Sequence, residues 1–211
     1  MVSLPKITAR MHSLSTSFIL GYHGCEPDIG EKLLRNEQFR PSKNAYDWLG
    51  SGIYFWESNP DRALDWSRQQ LIQRQSISAA ALAPFVVGAI IDLGFCLDLV
   101  SANGLSAVEA TYSDLQNTFQ YSGDDLPQNS GGEDFLNRKL DCMVVNYLHQ
   151  VREESGDLPF DTVRAVFMEG ERLYPSAGFR RKTHIQICVR NPECIKGVFR
   201  VPDRHFSAKG I

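Results

Sequence analysis

Three short motifs place reactive or ring-bearing side chains at the ends of apolar runs. The first is Tyr22-His23-Gly24, which follows the apolar run 18–20. A neutral imidazole offers one donor and one acceptor, which suits a sugar hydroxyl, and a glycine lets a ligand approach the main chain closely. A strand-end histidine that hydrogen-bonds a neighbouring carbonyl is the purely structural alternative, and this motif taken alone favours it.

The second motif is aromatic. Tyr54 lies in a short β-branched and aromatic run behind a glycine-rich turn, and Trp66 follows in a predicted helix. Two such rings can sandwich a flat cationic ring through stacking and cation–π attraction. The alternative is that these aromatics belong to the core. Alternation along a strand predicts that Phe55 points away from Tyr54.

The third motif is a late strand in which Ile185, Ile187 and Val189 alternate with Gln186, Cys188 and Arg190. Side chains two apart share a face of a strand, so Gln186 should project opposite the isoleucines. Its carboxamide can accept a hydrogen bond from a sugar hydroxyl.

Taken together, "YHGC", "LGSGIYFWESNPDRALDW" and "HIQICVRNPECI" resemble the motifs of the ADP-ribosyltransferase superfamily, in the branch of diphtheria toxin and the poly(ADP-ribose) polymerases. That branch is built around a His-Tyr-Glu triad. The resemblance implies that NAD is the co-substrate, that His23 binds its adenine-side ribose and that the Gly24 main chain bonds the nicotinamide amide. Tyr54 and Trp66 would then enclose the nicotinamide ring.

Two positions depart from the family pattern. Gln186 stands where the triad glutamate is expected, and Ala63 stands where many polymerases carry a serine. Without a carboxylate, the chain should stabilise an oxocarbenium ion less well, which favours single transfer over chain elongation. Glu169, Glu171 and Glu193 are possible substitutes, although each is more often a solvated surface charge.

A basic and aromatic segment occupies the place of the family's acceptor loop. Its candidate acceptor-binding residues are Tyr174, Phe179, Arg180, Arg181 and Lys182. Cations interleaved with rings slightly favour a nucleic acid over a protein side chain as acceptor, and an ordinary solvated loop is the alternative.

The expected function is therefore mono-ADP-ribosyl transfer to a macromolecule. By analogy, a small transferase of this kind resembles a bacterial toxin of a toxin–antitoxin or phage-defence system with an inhibitory partner. The alternatives are an NAD glycohydrolase, an RNA 2'-phosphotransferase relative and an inactive ADP-ribose or nucleic-acid binding module. A cysteine hydrolase built on Cys25 beside His23 is a poorer alternative, because no orienting acid can be placed.

The whole sequence is compatible with this expectation. A chain of 211 residues, 43% hydrophobic, has material for one substantial core. The net charge of -3 gives no overall positive field that would attract a nucleic acid or an acidic membrane. No apolar run is long enough to span a membrane, so a cytoplasmic protein is expected. The cysteines are odd in number and scattered, which indicates free thiols. Zinc bound by His184, Cys188, Cys194 and His205 is disfavoured, so no metal is predicted.

Hydrophobic periodicity predicts an α+β fold in one domain over 18–211, behind a loose lead-in at 1–17. The resemblance implies an ADP-ribosyltransferase-like split mixed sheet with flanking helices. Helices are expected within 27–36, from Asn59-Pro60 onward, over 104–119, and along a stripe from Leu136 to Val151. Asp28 and Glu31 suggest a capping box for the first helix. Strands are expected at 18–25, 52–56, 161–170, 183–191 and 196–202, and the segment 84–99 is expected to be a buried strand and its exit.

Overall fold

The computed structural model describes residues 18–73 and 83–206, which form an α+β fold. The strands are β1 Ile19–Cys25, β2 Ile53–Glu57, β3 Phe85–Ile91, β4 Cys96–Asp98, β5 Asn129–Ser130, β6 Asn137–Arg138, β7 Thr162–Phe167, β8 His184–Val189 and β9 Ile195–Arg200. The helices are α1 Pro27–Leu33, α2 Pro60–Gln73, α3 Ala102–Ser122 and α4 Lys139–Glu154, with short 3-10 turns at Pro192–Cys194 and Asp203–His205.

A mixed sheet of seven strands in the order β4-β7-β8-β2-β1-β3-β9 forms the centre, and β5 pairs with β6 separately. β4 runs parallel to β7, while the other neighbouring strands of the large sheet are antiparallel. The predicted α+β class with a mixed sheet core is confirmed. The segment 84–99, predicted to be a buried strand and its exit, contains the strand β3, a turn at Gly94 and a second short strand, β4.

The sheet parts in its middle, between β1 and β2. These strands are paired at Gly21 with Glu57 and at Tyr22 with Trp56, and Ser58 N donates to Leu20 O on the same side. By contrast, β1 pairs with β3 along its whole length. The His23 end of β1 therefore diverges from β2, and a gap opens at the point where the first two motifs meet.

Each face of the sheet has its own core. On one side, here called the helix face, α2 packs on Tyr22 and Trp56, while α3 and α4 pack on β4, β7 and β8. On the other side, here called the Phe55 face, Phe55 packs with Ile187 and Phe39. The predicted opposition of Tyr54 and Phe55 is confirmed, because Tyr54 packs against the cluster under α4.

Local signals at the helix ends were partly right. Asn59 caps α2, since its Oδ1 accepts from Arg62 N at 3.1 Å. The capping box predicted for α1 is wrong: Glu26 holds the N-cap position, and Asp28 lies within the first turn. The third helix is longer than the 104–119 predicted, because Ser101 caps it and Gly123 ends it in a left-handed conformation.

The amphipathic stripe also needs one correction. Leu136 lies before α4 and is 56% exposed, so it does not belong to the buried face of that helix. The lead-in predicted at 1–17 lies outside the described residues. Within 18–73 and 83–206, no helix has the length and apolarity required to cross a membrane.

Candidate functional site

His23 lies at the gap between β1 and β2. Its Nδ1 is 2.9 Å from the main-chain oxygen of Tyr54. A carbonyl can only accept, so Nδ1 carries the proton and Nε2 is left as an acceptor. The ring packs edge-on against Phe39 and tilted against Phe55, with centroids 5.4 and 5.7 Å away. Burial lowers the pKa of His23 below 6.5, against the opposing effect of the Tyr54 carbonyl, and keeps the imidazole neutral.

Gly24 is the point of closest approach between β1 and α2. A Cβ at this position would lie 2.2 Å from the Ala63 carbonyl oxygen and 3.2 Å from Ser67 Cβ. Ser67 Oγ donates to Cys25 O at 2.8 Å, which fastens the helix to the strand. Ala63, which stands where many polymerases carry a serine, offers its main-chain carbonyl to this junction and no side-chain hydroxyl.

A cavity of about 330 Å³ opens beside this junction. It straddles the end of β1, because His23 reaches it from the Phe55 face, whereas Gly24, Trp66 and Ser67 reach it from the helix face. Its other lining residues are Cys25, Glu26, Ile29, Lys32, Leu33, Glu37, Gln38, Phe39, Arg40, Gln70 and Leu71. Its volume is near the lower end of the roughly 300–1,000 Å³ usual for ligand pockets. It suits part of a dinucleotide better than the whole.

Tyr54 does not line this cavity. Its hydroxyl donates to Gly50 O at 2.8 Å and accepts from Leu49 N at 3.0 Å, so the phenol is turned toward the preceding turn. Burial raises the pKa of Tyr54 well above 10. The ring braces the glycine-rich turn in this conformation.

Gln186 lies on the helix face, as predicted, and also outside the cavity. Its Oε1 accepts from Trp48 Nε1 at 2.6 Å. The pairs Tyr54 with Cys188 and Trp56 with Gln186 make Tyr54 and Gln186 diagonal neighbours on adjacent strands, about 7–8 Å apart by the usual geometry of a sheet.

Trp66 joins the two regions. It lines the cavity and packs against Trp56, with ring centroids 5.5 Å apart and planes tilted by 49°. The indole Nε1 of Trp56 is buried and has no hydrogen-bond partner among the described residues.

The structure therefore brings together part of the predicted site. His23, Gly24 and Trp66 share one cavity, and His23 is bonded to the main chain of Tyr54. The side chains of Tyr54 and Gln186 point to the helix face, away from the imidazole, and do not share that cavity. Sequence reasoning missed Lys32 and Arg40, exposed cations at the cavity rim, because isolated charges outside a motif carry no signal.

The predicted acceptor loop is only partly available. Arg180 donates to Asp134 at 2.6 Å, and Lys182 lies 3.7 Å from Glu169, so both already have ionic partners. Arg181 Nε lies 4.0 Å from Glu171 Oε2, and both side chains remain exposed, by 62% and 89%. The rings of Tyr174 and Phe179 are also exposed, by 56% and 67%.

Of the substitute carboxylates, Glu169 is half-buried in an ion pair. Arg62 Nη2 lies 3.0 Å from its Oε2, and the two side chains are only 9% and 15% exposed. His184 lies beside this pair, and its Nδ1 is 2.6 Å from Lys182 O. Glu171 and Glu193 are exposed on the surface, so none of the three carboxylates lines the cavity.

The cysteine and zinc alternatives find little support. Burial, aided by Glu26, raises the pKa of Cys25 to about 11, which disfavours a nucleophilic thiolate. In the residues that the structure describes, no group of three histidine, cysteine or acidic side chains could hold a metal ion.

A second cavity, of about 680 Å³, lies between α3, α4 and β7 and has a largely apolar lining that includes Trp48 and Arg138.

The comparisons with known proteins give one relative. No family model matches the chain, and no solved structure matches it significantly. The chain is similar to an uncharacterized protein of Methanocaldococcus jannaschii, with 27% identity over 195 residues and 83% of each chain covered. The likeness covers most of the chain but brings no activity with it.

Proposed function

We propose that this chain is an NAD-dependent mono-ADP-ribosyltransferase that acts on a macromolecule in the cytoplasm. The observation that carries the proposal is the single cavity lined by His23, Gly24 and Trp66, placed where the sheet parts. These residues come from two of the three motifs that resemble the family, and His23 is bonded to the main chain of Tyr54 in the second.

The adenosine half of NAD would occupy the cavity. His23 Nε2 accepts from a ribose hydroxyl, because Nδ1 is engaged by Tyr54 O. Lys32 and Arg40 at the rim would attract the pyrophosphate. The nicotinamide end would pass the Gly24 main chain toward Trp66, Tyr54 and Gln186 on the helix face.

The reaction breaks the bond between C1' of the nicotinamide ribose and the ring nitrogen. The nitrogen keeps the electron pair, which turns the cationic pyridinium into neutral nicotinamide, and a nucleophilic atom of the acceptor bonds to C1' and loses its proton. The chain contributes geometry, aromatic packing around the leaving group and exclusion of water. Gln186 orients the ribose without supplying a negative charge.

The exposed rings of Tyr174 and Phe179, with Arg181, slightly favour a nucleic acid as the acceptor. A role as a toxin or phage-defence effector held by an inhibitory protein follows by analogy with small transferases.

An NAD glycohydrolase, with water as the acceptor, is the second candidate. The observation that favours it is the engagement of Arg180 by Asp134 and of Lys182 by Glu169, which reduces the cationic surface left for a macromolecule.

The proposal is tested by titrating NAD into the purified protein in a calorimeter. The wild type and a Glu193→Gln control should bind NAD alike, because Glu193 is an exposed side chain outside the cavity. His23→Ala should weaken binding by about tenfold, the value of one good hydrogen bond in a buried site. Equal affinity of the wild type and His23→Ala would remove the cavity from the proposal.

A further inference from the structure

Trp48 and Gln186 are joined by a short hydrogen bond across the helix face. The indole Nε1 of Trp48 lies 2.6 Å from Oε1 of Gln186, although the two residues are 138 positions apart in the chain. An indole N–H can only donate, so its partner on the carboxamide must be the oxygen. The orientation of the Gln186 amide is therefore set by the chemistry of Trp48.

Trp48 is itself held firmly. The Phe167 ring packs edge-on against it with centroids 4.9 Å apart, and the Arg138 guanidinium carbon lies 5.0 Å from its ring centroid. Arg138 is in turn fixed by Asp141 at 3.5 Å and by the Phe135 carbonyl at 3.1 Å. The indole thus has one neighbour at its edge and another over its ring, and little freedom to turn.

We propose that Trp48 is the positioning residue of the third motif: it holds the Gln186 oxygen so that the Gln186 amide nitrogen, with its two hydrogens, faces the substrate. The inference rests on the proposed function, in which Gln186 meets the nicotinamide ribose. The direction of the hydrogen bond is then opposite to the one expected from the sequence: Gln186 donates to a ribose oxygen and does not accept from a hydroxyl.

This arrangement also explains how a glutamine and a glutamate can serve at the same position. A carboxylate would take the Trp48 N–H with one oxygen and offer the other, negatively charged, to the ribose. A carboxamide keeps the same anchor and offers a neutral donor. Gln186 should therefore hold the ribose in place while giving little electrostatic help to bond cleavage.

The anchor can be tested in the protein without NAD, by the ¹H and ¹⁵N resonances of the three indoles, Trp48, Trp56 and Trp66. Gln186→Ala should move the Trp48 indole resonance upfield, and Gln186→Glu should leave it downfield. The Trp66 indole is the internal control, because Trp66 lies on α2 and is not a cross-strand neighbour of Gln186, so its resonance should change least. A Trp48 resonance that ignores Gln186→Ala overturns the anchor.

The positioning role is tested by the rate of nicotinamide release. Trp48→Phe keeps a ring but removes the N–H, and should lower kcat by about 3- to 10-fold, the range of one net hydrogen bond, with a smaller change in KM. In a Gln186→Ala background the same substitution should change kcat less than about twofold, because the two residues act as one unit. Tyr121→Phe, which also keeps a ring and removes a hydrogen-bond donor but lies at an exposed position of α3, is the matched control.

The outcomes separate the two proposals. If the wild type neither binds nor cleaves NAD, the proposed function fails and the positioning role fails with it, while the resonances still decide whether the anchor exists. If the wild type is active and Trp48→Phe and Gln186→Ala lower kcat additively, only the positioning role is overturned.

Discussion

The imidazole of His23 and the main-chain carbonyl of Tyr54 meet at 2.9 Å across the gap where β1 leaves β2. This contact replaces the strand pairing that stops at Tyr22, and it links the first motif to the second. It also fixes the tautomer of His23, which presents an acceptor nitrogen to the neighbouring cavity. The contact between His23 and Tyr54 thus both spans the gap in the sheet and determines which nitrogen of His23 is left to accept a hydrogen bond.

NAD affinity should therefore depend on pH through His23. Its pKa is lowered from 6.5 by burial, so the neutral form and its Nε2 acceptor persist at and somewhat below that pH. Once the ring is protonated, Nε2 becomes a donor and the bond from the ribose hydroxyl is lost. Calorimetric titrations should show constant affinity above pH 6.5 and a fall only at lower pH. An unchanged profile in His23→Asn would assign the fall to another group.

Gly24→Ala should damage the domain as well as the site. The added Cβ would sit 2.2 Å from the Ala63 carbonyl, which is main chain and cannot turn aside. Overpacking of this kind costs about 1–3 kcal/mol of the free energy of unfolding. Urea denaturation measures it, with Gly178→Ala as the control, because a Cβ at Gly178 meets no atom within 4 Å. Equal stability of the two variants would contradict the packing of α2 on β1.

His149 should make the protein sensitive to acid. It is 1% exposed, neither ring nitrogen has a partner among the described residues, and burial together with Arg190 and Arg152 lowers its pKa to about 3. The unfolded chain takes up this proton near pH 6.5, so the stability is fully present above pH 6.5 and is lost as the pH falls toward 3. The loss amounts to about 3–5 kcal/mol.

The check is a series of urea denaturations at decreasing pH. His149→Phe, which cannot be protonated and can keep the edge-on contact with Phe160, should lose stability less steeply than the wild type. Parallel curves for the two proteins would show that other groups cause the acid lability.

Glu169→Gln should destabilise the fold without a specific effect on catalysis. It removes the charge opposite Arg62, which is 8% exposed and has two further nitrogens without partners among the described residues. An unpaired buried charge costs about 3–5 kcal/mol. Glu171→Gln is the matched control, since Glu171 is 89% exposed. Thermal unfolding measures the difference in stability between the two variants. If Glu169→Gln lost nicotinamide release but kept its stability, Glu169 would instead be the missing catalytic carboxylate.

Much of the fold could be predicted because local signals agreed with the final packing. The alternation of Ile187 and Gln186 placed the two on opposite faces, and Asn59-Pro60 marked the start of α2. The capping box at Asp28 failed because Pro27 already occupies the first turn and Glu26 precedes it. The place where the sheet parts, between β2 and β1, had no local signature in the sequence, since strand order depends on pairings between distant segments.

The candidate site was harder to predict in its details. The motifs named His23, Gly24 and Trp66, which the fold gathers around one cavity. They did not reveal that the Tyr54 hydroxyl is bound to Gly50 or that Trp48 holds Gln186, because such bonds depend on side-chain directions set by tertiary packing. The motifs also did not reveal that Arg180 is paired with Asp134, since the two residues lie 46 positions apart in the chain.

The cavity where β1 leaves β2 is proposed to hold NAD for ADP-ribosyl transfer. The most direct test incubates the protein with NAD labelled in its adenylate half and a cell lysate, and measures label in macromolecules after nuclease or protease digestion. At NAD concentrations below the wild-type Kd, label should enter macromolecules, His23→Ala and Trp66→Ala should reduce this incorporation several-fold, and nuclease digestion should release the label in preference to protease digestion. Free nicotinamide with no incorporated label would indicate the glycohydrolase, and no nicotinamide at all, or full labelling by His23→Ala, would contradict the account.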